Sequence, residues 1–237
     1  MELNYSFMLN TFKLLFEAIP VSLSITCVAL VLATPFAFFM ALSRLKKIKY
    51  IQDFVALYIS MIRGVPMIIQ ILVVYSLFPS LLNYIFKKLN IGYNIFDLDT
   101  IWYAYAVFAL STAANLSEVF RSALKNVPKG QMEAGLVTGM NSFWIYIRII
   151  IPQALVVALP SLCNLTVSLL KNTSLAFLMA VKDITAVGKI AASYGYNYVE
   201  AYIDVFFVYI IVCSLVQVLF HYAEKHLGKY RMLRLHS

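Results

Sequence analysis

Residues 133–152 read Glu-Ala-Gly-Leu-Val-Thr-Gly-Met-Asn-Ser-Phe-Trp-Ile-Tyr-Ile-Arg-Ile-Ile-Ile-Pro. The stretch opens on Glu133-Ala134-Gly135, places Gly139 after three residues, and closes on Ile149-Ile150-Ile151-Pro152 after nine more. It is polar enough to lie in water, yet apolar runs long enough to cross a bilayer flank it. The chain must therefore leave the membrane after Glu118 and return near Pro152. Pro128, Gly130, Gly135 and Gly139 oppose one continuous helix across that distance. A short helix is still expected, because Met132, Leu136, Met140, Phe143 and Ile147 recur at three- and four-residue spacing as one apolar stripe. An amphipathic helix along the membrane can offer such a stripe to lipid, to its own bundle or to a groove on another protein. Glu133, near the start of this helix, suits the positive end of the macrodipole. Gly139 permits a tight turn that a side chain would resist.

The rest of the chain agrees with a membrane setting. Its 237 residues are 62% hydrophobic and 13% charged, with mean hydropathy +0.82. A soluble domain averages about a quarter charged residues. The 16 Tyr and 17 Phe fit the same reading, since amphipathic rings favour the headgroup region. No cleavable signal peptide is expected: the first long apolar run begins near Ala18 and exceeds a signal h-region, so the first helix serves as its own insertion signal. Cys27, Cys163 and Cys213 lie far apart in apolar runs without ligand spacing and read as small buried hydrophobes. His221, His226 and His236 read as solvated tail residues. No metal site is implied.

About 20 apolar residues cross a bilayer as a helix. Five segments approach that length, at about 18–43, 55–78, 101–121, 152–171 and 201–222. Pro20 is placed in the first helical turn; Arg63-Gly64 and Pro66 interrupt the second segment. The expected fold is an all-α integral membrane protein, one transmembrane domain over 1–237 with a polar loop at about 122–151. Basic residues orient it. Arg44, Lys46, Lys47 and Lys49, then Arg121, Lys125, Lys129 and Arg148, then Lys225, Lys229, Arg231 and Arg234 make twelve of the nineteen. All fall on one side of a five-span chain, which puts the N-terminus outside and the C-terminus in the cytoplasm. The net charge of +8 then needs no nucleic-acid partner, because basic inner loops facing anionic lipid account for it. Lys171 to Val181 is too short to span; it is a helix extension, an interfacial turn or a half-embedded element. There is no inverted repeat of hydropathy to suggest a secondary transporter.

The loop spacing closely resembles the "EAA" cytoplasmic loop of ABC importer permeases, with Gly135 where Ala is usual and Ile151 where Leu is usual. The likeness extends along the chain. Ile19-Pro20-Val21-Ser22-Leu23 is similar to the start of the first helix in polar amino-acid permeases. Ile62-Arg63-Gly64-Val65-Pro66-Met67-Ile68-Ile69-Gln70 resembles their Arg-Gly-Thr-Pro-Leu-x-x-Gln element. Ala113-Ala114-Asn115-Leu116-Ser117-Glu118-Val119-Phe120-Arg121 resembles Ala-Ala-Tyr-x-x-Glu-x-x-Arg, with Asn115 for Tyr. Lys171-Asn172-Thr173-Ser174-Leu175 resembles Lys-Asp/Asn-Thr-Ser-Leu. The family is the type I importer group for histidine, glutamate, glutamine, arginine, opines and cystine.

This resemblance implies a non-catalytic permease in a bacterial plasma membrane. A binding protein, extracellular or periplasmic, delivers the amino acid to a permease dimer, the second copy identical or related. ATP and Mg sit on two separate ATPase subunits, and this chain has no Gly-x4-Gly-Lys-Ser/Thr phosphate loop. The resemblance assigns ATPase coupling to Met132, Glu133, Ala134, Gly135, Leu136, Gly139 and Met140. Overall likeness points to L-cystine, with arginine, histidine and glutamine close behind.

Charges inside spans usually face a bundle interior, pore or cavity. Arg63 and Glu118 lie near helix ends, where snorkelling or mutual pairing would satisfy them. Lys171 with Asn172 and Thr173 forms a dense polar patch. A zwitterion needs a cation or helix N-terminal amides for its carboxylate, and carbonyls, amides or a carboxylate for its ammonium. Asn115, Glu118, Asn164, Lys171, Asn172 and Thr173 are the expected pathway residues, with Gln70 and Gln217 as further neutral donors. A stand-alone channel or ion-coupled carrier would explain the helices but leave the loop spacing a coincidence.

Overall fold

A computed structural model describes residues 3–232, with side chains through Leu227. Arg234 and His236 lie outside the described residues. Among the described residues every regular element is helical.

The first helix, α1, runs Tyr5–Leu45. Asn4 starts it, its Oδ1 accepting from the Phe7 N–H at 3.1 Å. The expected start near Ala18 is thus too late, and Pro20, expected in the first turn, lies inside the helix together with Pro35. Packing accounts for the earlier start. Thr11, Leu15 and Ala18 are buried and continue the stripe of Ser22, Ile25, Ala29, Ala33 and Ala37. Small residues along that stripe let a second helix approach closely, and α1 packs most extensively on α4, Thr100–Lys125.

The expected second span is two helices, α2 (Ile51–Gly64) and α3 (Met67–Lys88). Pro66 disfavours helical backbone in the residue before it, and Val65 is extended at φ −108°, ψ 130°. Gln70 closes the break: its Nε2 donates to the carbonyls of Ile62 and Val65, both at 2.8 Å. These are carbonyls the end of α2 leaves without helical partners.

After α4 come α5 (Lys129–Val137) and α6 (Ser142–Ile145), then a π-helical turn (Tyr146–Ile150) leading into α7 (Ile151–Asn172). The Ile151 N–H reaches back to the Tyr146 carbonyl. Pro152 has no N–H and crowds the carbonyl four residues earlier, and the wider turn accommodates it. A 3₁₀ turn over Thr173–Met179 extends α7, so the ambiguous segment is a helix extension. Next, α8 (Ile184–Ser193) starts on Asp183, whose carboxylate accepts from the Thr185 and Ala186 amides at 3.0 and 2.9 Å. It lies on α9 (Tyr198–Met232) so closely that a Cβ on Gly188 would sit 2.7 Å from Val205.

Among the described residues, four segments are long and apolar enough to cross a membrane: Tyr5–Leu45, Met67–Lys88, Ser142–Met179 and Tyr198–Leu227. At 26 residues α4 is about 39 Å long but is diluted by Ser111, Thr112, Asn115, Ser117 and Glu118. It is the central helix, packed on α1, α2, α3 and α7. The outside of the bundle is apolar, with Val31, Phe36, Phe54, Leu77, Phe206 and Leu219 exposed, as lipid requires. The cysteines are free: Cys213 is buried, but Cys27 is exposed on this apolar outer surface, contrary to expectation.

Candidate functional site

Two features stand out, a platform at the loop end of the bundle and a half-open cavity between α3, α4 and α7. The platform is built by α5 and α6. One stripe from Met132 to Ile147 on a single helix was expected, and the chain breaks it. At the end of α5 the Gly139 N–H bonds to the Leu136 carbonyl at 3.0 Å and the Met140 N–H to the Gly135 carbonyl at 3.1 Å. That paired closure is a Schellman motif, which needs a left-handed residue after the helix end, and Gly139 has φ +80°. Asn141 then restarts the chain as α6, its Oδ1 accepting from the Trp144 amide at 3.0 Å.

The break sorts the apolar residues. Met132 and Met140 pack inward with Ala123, Leu124, Ile145 and Ile150. Leu136, Val137, Phe143 and Trp144 face outward, Val137 at 88% exposure. Glu133 and Ala134 are also exposed. Glu133 lies beyond the first turn of α5, which carries no acidic residue, so the expected macrodipole role does not apply. Gly135 is buried, and a Cβ there would stand 2.7 Å from Ile145 Cγ1. The missing methyl is what lets α5 sit on α6. Arg148 stacks over Trp144 at 4.5 Å, and Lys46 of α1 lies over Tyr146 at 5.2 Å. Sequence reasoning missed Val137, Trp144 and Arg148; an aromatic next to a basic residue at a loop end was the available signal.

Behind the platform, Glu118 of α4 pairs with Arg44 of α1 and with Arg121 at 2.6 Å. Of the two alternatives expected for Arg63 and Glu118, snorkelling or mutual pairing, the pairing does not occur, and Arg63 is exposed at the end of α2. The clamp ties together the last turns of the two helices that pack most closely.

The cavity, about 410 Å³, lies where α3, α4 and α7 meet. It is lined by Ser111, Thr112 and Asn115 from α4 and Asn164, Ser168 and Asn172 from α7, with Met67, Phe108, Leu165 and Leu169 as apolar walls. Its volume falls within the roughly 300–1,000 Å³ of small-molecule sites. The Asn115 side-chain amide donates to the Ser111 carbonyl at 3.0 Å. Of the expected pathway residues, Asn115, Asn164 and Asn172 line this cavity, and Glu118, Lys171 and Thr173 do not. Glu118 is held in its clamp. Lys171 is exposed. Thr173 is buried and donates to the Leu170 carbonyl at 2.7 Å. Gln70 serves the helix break instead. Ser111 and Ser168 were missed, although each stands four residues from a cavity asparagine, a spacing that puts both on one helix face.

Residues 33–229 match the family described as the binding-protein-dependent transport system inner membrane component. The chain belongs to this family. It is therefore the permease subunit of an ABC importer, a multi-pass plasma-membrane component without catalytic chemistry of its own. The relative named "Probable amino-acid permease protein YxeN" of Bacillus subtilis (strain 168) is 37% identical over 96% of this chain and 97% of that protein. The L-cystine transport system permease protein TcyL of the same organism is 34% identical over 89% and 86%. The histidine/lysine/arginine/ornithine permease HisM of Escherichia coli (strain K12) is 30% identical over 89% and 87%. Among solved structures, an amino acid ABC transporter crystallised with histidines superposes with TM-score 0.78 at 25% identity, covering 95% of this permease and all of that chain. The type I importer fold expected from the loop is the one observed.

Proposed function

We propose that this permease imports a polar amino acid, with L-cystine the leading cargo, and that the outward face of α5 and α6 receives the ATPase. The observation that carries the proposal is the split platform. Two methionines anchor the loop to the bundle while Leu136, Val137, Phe143 and Trp144 stay uncovered beside Glu133 and Ala134. An uncovered apolar face with an acidic edge suits a groove on a soluble partner. The permease relatives named for L-cystine support the cargo.

In this reading five helices span the membrane, with α4 as the fifth beside the four apolar spans. The N-terminus is outside, and the basic loop side is cytoplasmic. A solute-binding protein delivers the amino acid, and a second permease copy completes the pathway. The cavity lined by Asn115, Asn164 and Asn172 forms part of that pathway. ATPase closure on ATP and Mg pushes α5 and α6, and the Arg44–Glu118–Arg121 clamp passes the motion to α1 and α4 together.

Detergent purification tests it. The chain should co-purify stoichiometrically with an ATPase, and Glu133→Ala or Gly139→Pro should lose that association. A chain that purifies and transports alone would sink the proposal. Radiolabelled uptake in cells lacking and regaining the protein identifies the cargo.

A further inference from the structure

The cavity between α3, α4 and α7 is polar without being charged. Its hydrogen-bonding groups are the amides of Asn115, Asn164 and Asn172 and the hydroxyls of Ser111, Thr112 and Ser168, and among the described residues no ionisable side chain lines it. The ionisable groups near it are committed elsewhere. On α4, Glu118 stands one turn beyond Asn115 and is already held by both Arg44 and Arg121, so that cluster carries a net positive charge. On α7, Lys171 adds a further positive charge next to Asn172 in the chain. The buried carboxylates outside the cavity are also placed: Asp183 caps α8, Glu200 accepts the Asn4 amide at 3.2 Å, and Asp204 is enclosed on α9.

From this lining we infer that the site rejects amino acids with a cationic side chain, arginine, lysine and ornithine, in favour of those without one. The inference rests on the reading of the cavity as part of the amino-acid pathway. A bound zwitterion has no net charge, and amide oxygens and nitrogens can serve its ammonium and carboxylate. An extra guanidinium or ammonium would find no carboxylate in this lining to pair with, which is unfavourable unless compensated. It would also meet the positive surroundings set by Arg44, Arg121 and Lys171. The amide side chain of glutamine, or the second half of cystine, itself a zwitterion whose carboxylate offsets its ammonium, adds no net positive charge. The Met67 thioether and the Phe108 ring provide an apolar wall for such a chain.

The test is equilibrium binding to the purified permease–ATPase complex in nanodiscs, without a solute-binding protein to impose its own selectivity. Radiolabelled cystine, glutamine, arginine and lysine are the probes. Cystine or glutamine should bind at least about tenfold more tightly than arginine or lysine. Asn164→Asp should reverse that order by supplying a carboxylate, and Ser168→Asp provides a second variant should the first fail to assemble with the ATPase. Arginine binding as tightly as glutamine in the wild type would overturn the inference and leave the importer reading intact. So would saturable transport with no binding of any probe. A complex that neither transports amino acids nor associates with an ATPase would instead overturn the reading on which the inference rests.

Discussion

Single residues decide how tightly the loop end is built. Gly135→Ala places a methyl 2.7 Å from Cγ1 of fully buried Ile145, and overpacking of this kind costs about 1–3 kcal/mol. We expect a lower melting temperature in detergent and weaker ATPase association, with recovery in Gly135→Ala/Ile145→Val. A single variant with wild-type melting would refute the close contact. Asp183 is a second case. Burial pushes its carboxyl up to about 6, against the opposing pull of the Ala186 and Thr185 amides. A pKa raised on folding gives stability that is fully present below the unfolded value and lost as pH rises through about 6. The chain should therefore melt higher at pH 5 than at pH 7.5. Asp183→Asn keeps an oxygen for the cap and should flatten that dependence; an unchanged pH slope in the variant would exclude Asp183 as its source.

At the scale of elements, breaks in helices carry the design. The elbow between α2 and α3 exists because Pro66 excludes helical backbone at Val65, and it is closed by one side chain. Gln70→Ala removes both hydrogen bonds to the Ile62 and Val65 carbonyls. A loss of about 1–2 kcal/mol follows. Faster hydrogen exchange confined to the end of α2 and the start of α3 is the expected signature. Exchange unchanged at the elbow would show that the glutamine is not its support. The Schellman closure at Gly139 is a break of the same kind. It turns what would be one amphipathic stripe into an inward anchor and an outward face, and only the outward face is available to a partner.

At the scale of the whole molecule, anchoring and docking are separable. Val137→Asp alters a side chain that is 88% exposed, so the stability of the permease alone should stay within about 0.5 kcal/mol of wild type. Co-purification of the ATPase should nevertheless fall sharply. Retained ATPase association in Val137→Asp would place docking elsewhere. The sequence by itself determined the membrane class, the family, the position of the loop and the turn at Gly139, because hydropathy, proline, glycine and residue spacing are local signals. It also picked out three of the cavity's asparagines, since polar residues in apolar runs are conspicuous. Tertiary structure alone decided that α1 begins at Tyr5, because buried Thr11 and Leu15 hold helical a stretch interrupted by the charges of Lys13 and Glu17. It decided that Glu118 pairs with Arg44 rather than Arg63, because that choice depends on which helix ends pack together. It also decided that Glu118, Lys171 and Thr173 stay out of the cavity lining, since the facing of side chains across helices is set by packing and not by order along the chain.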